Sequence, residues 1–115
     1  LGFLLTEHTK KYDEALAFIQ RALAVDAENP SYLDSLGWLY FKQGKVAEAV
    51  APLEHAVRTA TQASVVLEHL GDVHMALKQY REALDAFTRS LAGDRDGIDV
   101  AAVTKKRDRA KDLAK

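Results

Sequence analysis

An all-α fold, an α-solenoid of stacked antiparallel helical hairpins, is predicted by three observations. The first is a recurring pair. Leu36-Gly37 returns as Leu70-Gly71 34 residues later, and Leu1-Gly2 stands 35 residues before Leu36-Gly37. The second is a Glu-Ala step after each pair: Glu14-Ala15, Glu48-Ala49 and Glu82-Ala83. Four residues after each Ala comes a large apolar residue (Ile19, Leu53, Phe87), and seven after it a small one (Ala22, Ala56, Ser90). The third is periodicity. Leu33, Leu36, Gly37 and Tyr40, and again Ala49, Leu53 and Ala56, fall on single helical faces. A fixed period of this length, with an apolar face that no lone hairpin can bury, marks a stack of repeats.

The elements follow in order. Helices are expected over 1–8, 11–25, 30–43, 46–60, 63–77, 80–92 and 98–114. The Gly-to-Ala spacing is 12 in the second and third copies and 13 in the first, so the first turn, around Thr9-Lys10, gains a residue. The first copy is clipped at its start, as expected of a fragment of a longer protein. Asn29-Pro30 starts the second copy, with Asn capping free N–H groups and Pro at the first helical position. Gly44 marks the turn between its two helices. Gly37 with Ala49, and Gly71 with Ala83, are the small residues that let helix axes approach to about 8–10 Å. Tyr40, Leu53 and Phe87 fill the space beside them. Pro52 breaks the local rule: it either bends its helix or lies near enough to the helix start to be tolerated. Gly93-Asp94-Arg95-Asp96-Gly97 ends the third copy. Asp96 is then expected to cap a final helix with a narrow apolar stripe at Ile98, Ala101, Ala102, Ala110 and Leu113.

These positions resemble the tetratricopeptide repeat (TPR) family. The second copy carries the likeness best, at Leu36, Gly37, Tyr40, Ala49, Leu53 and Ala56. The third matches at Leu70, Gly71, Tyr80, Ala83 and Phe87, with His74 where Tyr is typical. The first keeps Leu1, Gly2, Tyr12, Ala15, Ile19 and Ala22. Asp26-Ala27-Glu28-Asn29 resembles the inter-repeat linker, with Ala27 where Pro is usual. The resemblance implies a TPR-like solenoid with repeats at 1–28 (truncated), 29–62 and 63–96 and a C-terminal capping helix at 97–115. It implies a protein–protein interaction scaffold, with each copy's first helix lining a concave groove. Leu33-Asp34-Ser35-Leu36-Gly37-Trp38 is similar to TPR regions of bacterial envelope proteins, which leaves a cytoplasmic or periplasmic site open.

Composition narrows the function classes. The 115 residues hold 16 Lys and Arg against 17 Asp and Glu, and near-neutral charge argues against nucleic acid as the main partner. With no Cys there is no disulfide, thiolate metal site or cysteine nucleophile. No apolar run is long enough to span a membrane. No phosphate loop, nucleophile elbow or paired catalytic carboxylates appear, so no enzyme and no cofactor is expected. His8, His55, His69 and His74 lack the i, i+4 spacing of a helical metal site. Asp94, Asp96 and Asp99 resemble a calcium loop only loosely, with the Gly misplaced and the bidentate Glu missing. Lys105-Lys106-Arg107-Asp108-Arg109 reads as a solvated helix face.

The implied groove is lined in copy two by Ser31, Asp34, Trp38, Phe41 and Lys42, and in copy three by Val65, Glu68, Asp72, Met75 and Ala76. In copy one Phe3, Thr6 and Glu7 remain. Asp34, Trp38, Phe41, Lys42, Glu68, Asp72 and Met75 are the candidate partner-binding residues. They suggest a partner segment with apolar anchors and some Lys or Arg. The alternative for Trp38 and Phe41 is packing against the neighbouring repeat. Some TPR domains grip chaperone C-terminal carboxylates with basic residues. Here Asp34, Ser35, Trp38, Val65 and His69 stand at that surface, so that specialisation is not expected. The rival reading is structural: self-association through apolar Phe3, Leu4 and Leu5, or a linking or regulatory domain of a larger protein.

Overall fold

The computed structural model describes the backbone of residues 2–115 and the side chains of 11–115. Leu1 and the side chains of Phe3, Leu4, Leu5, Thr6, Glu7 and His8 lie outside the described residues. Among the described residues the secondary structure is six helices: α1 (Gly2–Val25), α2 (Pro30–Lys42), α3 (Val46–Thr59), α4 (Ser64–Ala76), α5 (Tyr80–Ala92) and α6 (Val100–Leu113). Helices α2 with α3, and α4 with α5, form the two complete hairpins, and α3 packs on α4 to stack them. The fold is an all-α, TPR-like solenoid.

One expected turn is missing. Residues 2–25 form a single helix with no break at Thr9-Lys10. The two turns that do form are left-handed helix stops. Gly44 sits at φ 82° and Lys78 at φ 61°, each just past a helix end. The Lys45 N–H donates to the Tyr40 carbonyl at 2.9 Å and the Gln79 N–H to the His74 carbonyl at 2.9 Å, closing matching left-handed stops. Thirty-four residues before Gly44 stands Lys10, inside the unbroken α1, where no such stop forms. The chain keeps its helical hydrogen bonds instead.

The hairpins close on their small residues. A Cβ on Gly37 would lie 2.5 Å from Leu53 Cγ and 3.2 Å from the Ala49 carbonyl oxygen. A Cβ on Gly71 would strike the Phe87 ring. Ala49, Leu53, Ala56, Ala83 and Phe87 are wholly buried. Tyr40 packs half-buried at the edge of the core that runs through α2, α3 and α4. Burying a side chain such as Leu53 or Phe87 contributes about 1.5–3 kcal/mol.

Polar contacts fix the joints between copies. The Asn29 side chain accepts from the Ser31 N–H (2.9 Å) and the Tyr32 N–H (3.2 Å), with Pro30 at the first helical position. Between copy three's ends, Ser64 and Ser90 exchange hydroxyl-to-carbonyl bonds of 2.6 and 2.7 Å. The Asp94 carboxylate accepts from the Ser64 N–H, so this loop residue caps α4 from a distance. Asp96 does not cap the last helix. Asp99 does, accepting from the Ala102 N–H at 3.2 Å, because α6 starts at Val100 rather than Ile98. Helix α3 continues unbroken past Pro52.

Replacing Gly71 by Ala tests the crossing. Helix propensity alone favours Ala by about 1 kcal/mol. The new methyl must displace a fully buried ring, and such overpacking costs about 1–3 kcal/mol. Gly71→Ala is therefore expected to lower the urea midpoint. A raised midpoint would show that the axes are not in contact there.

Candidate functional site

Charged side chains tie α2 to α4 and α4 to α6. On α2, Asp34 accepts a hydrogen bond from His69 Nδ1 of α4 at 2.8 Å. An ionised carboxylate only accepts, so this nitrogen carries the proton. The His69 ring stacks on Trp38 with centroids 4.0 Å apart and planes at 21°. Trp38 also meets Phe41 at 5.1 Å, and the Lys42 ammonium lies 5.1 Å from the indole centroid. Five side chains thus form one connected patch.

The next joint repeats the design. Lys106 Nζ of α6 lies 2.8 Å from Glu68 and 3.0 Å from Asp72, both on α4. Lys106 stands in α6 as His69 stands in α4. Val66 and Val73 flank His69 at −3 and +4, and Val103 and Ala110 flank Lys106 likewise, all four buried. Helix α6 therefore meets α4 through Lys106 and packs mainly on α5.

Burial raises the Asp72 carboxyl above its ordinary 3.8, although the Lys106 bond works against this. Burial also pushes the Lys106 ammonium down, but its bonds to Glu68 and Asp72 outweigh that and hold it above 10.5.

The structure brings the predicted residues into two groups: Asp34, Trp38, Phe41 and Lys42 on α2, and Glu68 with Asp72 on α4. Phe41 and Met75 also pack against core clusters, so each is part wall and part interior. Trp38 uses a ring face against the neighbouring copy, which is the packing alternative noted for it. Two residues were absent from the predicted set. His69 pairs with an acid 35 residues away, and Lys106 with acids 34 and 38 residues away. An acid and a base one repeat apart was the available signal. Lys106 is no solvated bystander, because α4 supplies two carboxylates where it lands. The other described histidines have partners too: His55 contacts Glu28 at 2.6 Å, and buried His74 meets Gln79 at 2.7 Å across the turn. Among the described residues no cluster of three or more His, Cys, Asp or Glu could hold a metal.

Residues 8–90 match the family model described as anaphase-promoting complex, cyclosome, subunit 3. The chain belongs to this tetratricopeptide repeat family. It is similar to the TPR repeat-containing protein PA4667 of Pseudomonas aeruginosa, at 36% identity over 72 residues. That match takes in 63% of this chain but 12% of the relative, so the chain spans about an eighth of the relative's length. Its fold is that of the Sgt2 TPR domain from Aspergillus fumigatus (TM-score 0.81, 21% identity, 96% of this chain and 72% of that one). The first TPR of Spaghetti (RPAP3), solved with the HSP90 peptide SRMEEVD, has a TM-score of 0.80 at 23% identity, over 94% and 84% of the two chains. A TPR fold of this kind is a protein-interaction module in general terms.

The Glu68–Lys106–Asp72 bridge has a pH signature. An acid raised on folding destabilises above its folded pKa, and that cost is relieved as pH falls. In Lys106→Met the Asp72 carboxyl loses its counter-ion and rises further. The stability deficit of Lys106→Met is therefore expected to be widest near neutral pH. It should narrow toward pH 4 as Asp72 protonates, and narrow again above pH 10.5 as wild-type Lys106 loses its proton. Urea titrations across pH check this; a deficit independent of pH would refute the bridge.

Proposed function

We propose that the inner wall of α2, α4 and α6 holds an extended or helical segment of a partner protein. The observation that carries this reading is a wall fixed before any partner arrives. The Asp34–His69 and Lys106–Glu68–Asp72 contacts tie its three helices together. Trp38, Phe41 and Met75 stay partly exposed on it. A surface already held in place loses less conformational freedom on binding. The module acts by binding, not by catalysis.

Charge sets the partner's character. Asp34, Glu68 and Asp72 on α2 and α4 outnumber Lys42 of α2 and Lys106 of α6 by one. Toward α6 the sign reverses, since Lys105 and Arg109 take the helical register of Glu68 and Asp72 and are exposed. The fitting segment places apolar side chains over Trp38 and Phe41 and a basic one over α4. The internal pairing of the acids makes that basic contact weaker than free acids would provide.

Two outcomes are expected. Trp38→Ala should reduce capture of partners from lysate several-fold while circular dichroism stays unchanged. The acidic peptide SRMEEVD should not bind, because Asp34 and its neighbours repel it. Undiminished capture by Trp38→Ala, or tight binding of SRMEEVD in a calorimetric titration, would contradict the reading.

A further inference from the structure

Where α3 and α5 both pack on α4, a pocket of about 210 Å³ opens that shares no residue with the Trp38 patch or the Lys106 bridge. Buried Val57 and Leu70 give it an apolar wall, and exposed Glu54, Arg58, Thr61 and Arg89 complete the lining. The charges belong to this joint alone. Thirty-four residues before Glu54, Arg58 and Thr61 stand neutral Gln20, Ala24 and Ala27, and before Arg89 stands His55. At that earlier joint His55 is matched, by Glu28 at 2.6 Å. The residue 34 after Glu28 is Gln62, so Arg89 lacks the carboxylate that its counterpart has. Arg89 makes only a long contact of 3.8 Å to Asp85, itself 70% exposed. Arg58 and Glu54, one turn apart on α3, have no ion pair or hydrogen bond among the described residues.

We propose that this pocket receives the side chain of a single glutamate from a partner protein. The repeat itself names the chemistry: at the preceding joint the chain supplies a glutamate carboxylate of its own, and here the carboxylate comes from outside. Two guanidiniums from successive copies offer planar forks that fit a carboxylate. The methylenes of a glutamate lie against Val57 and Leu70, which a bare anion would leave uncovered. Glu54 sets the limit. It places a negative charge beside the two arginines, so a second acid next to the first is repelled. The fitting segment is a glutamate flanked by neutral or basic residues, not an acidic run. The pocket lies apart from the Trp38 patch, so it stands or falls independently of the partner-binding reading given above.

The test is a nuclear magnetic resonance titration that follows the arginine Nε–H signals of the 115-residue chain. The probe is the blocked peptide acetyl-Ala-Ala-Glu-Ala-Ala-amide, with its glutamine analogue and inorganic phosphate as controls. The Arg58 and Arg89 signals are expected to move together and saturate, while the other arginines stay in place. Arg58→Gln and Arg89→Gln should each weaken the peptide about tenfold. Gln62→Glu should weaken it as much, because it restores to this joint the internal acid that Glu28 provides to the one before. The three substituted residues are exposed, and unchanged circular dichroism verifies the fold. Shifts shared by all the arginines, phosphate or the glutamine peptide binding as tightly as the glutamate peptide, or unchanged affinity in Gln62→Glu would each overturn the proposal.

Discussion

The structure depends on how closely two helices can lie. At Gly37 and Gly71 the inner helix of a hairpin has no side chain, and Leu53 and Phe87 of the outer helix press against its backbone. That contact sets the separation of the axes, and with it the angle at which one hairpin meets the next. Close-packed interiors do not adjust continuously, so a hairpin fixed at its crossing passes a fixed geometry to its neighbour. The inner wall inherits its shape from these crossings.

Charged contacts then act on a wall already shaped by packing. The two joints, Asp34 with His69 and Lys106 with Glu68 and Asp72, use different residue types in the same register. Surface ion pairs contribute little to stability, about 0–1 kcal/mol at the median. Here the carboxylates are mostly shielded from water, with side-chain exposures of 17–21%. Their role is better understood as alignment: each holds its helix at one rotation relative to the next. The net charge of this surface is what these pairings leave over.

The hairpins of copies two and three were legible because the physics behind them is local. Small residues at a crossing, apolar residues at 3.6 spacing and a capping Asn29-Pro30 announce themselves within a few residues. Copy one misled for the same reason. Leu1-Gly2 and Ala15 stand at hairpin spacing, but spacing does not say whether Thr9-Lys10 can take up a left-handed turn, and the helix continues. Asp96 and Asp99 differ only in where α6 begins, which local composition left open. His69 and Lys106 stayed hidden because their partners lie a full repeat away, and finding them requires knowing how one helix is rotated against the next. Trp38 was found, but its stacking on His69 depends on that same rotation.

The most direct test of the crossing as the governing constraint is a double-mutant cycle in urea between Gly71→Ala and Phe87→Leu. If the ring against the glycine sets the axis separation, the smaller leucine makes room for the new methyl. The double variant should then be more stable than the two single losses predict, by about 1 kcal/mol or more. Strictly additive losses would mean that the two residues do not share a contact, and that the geometry of the stack has another origin.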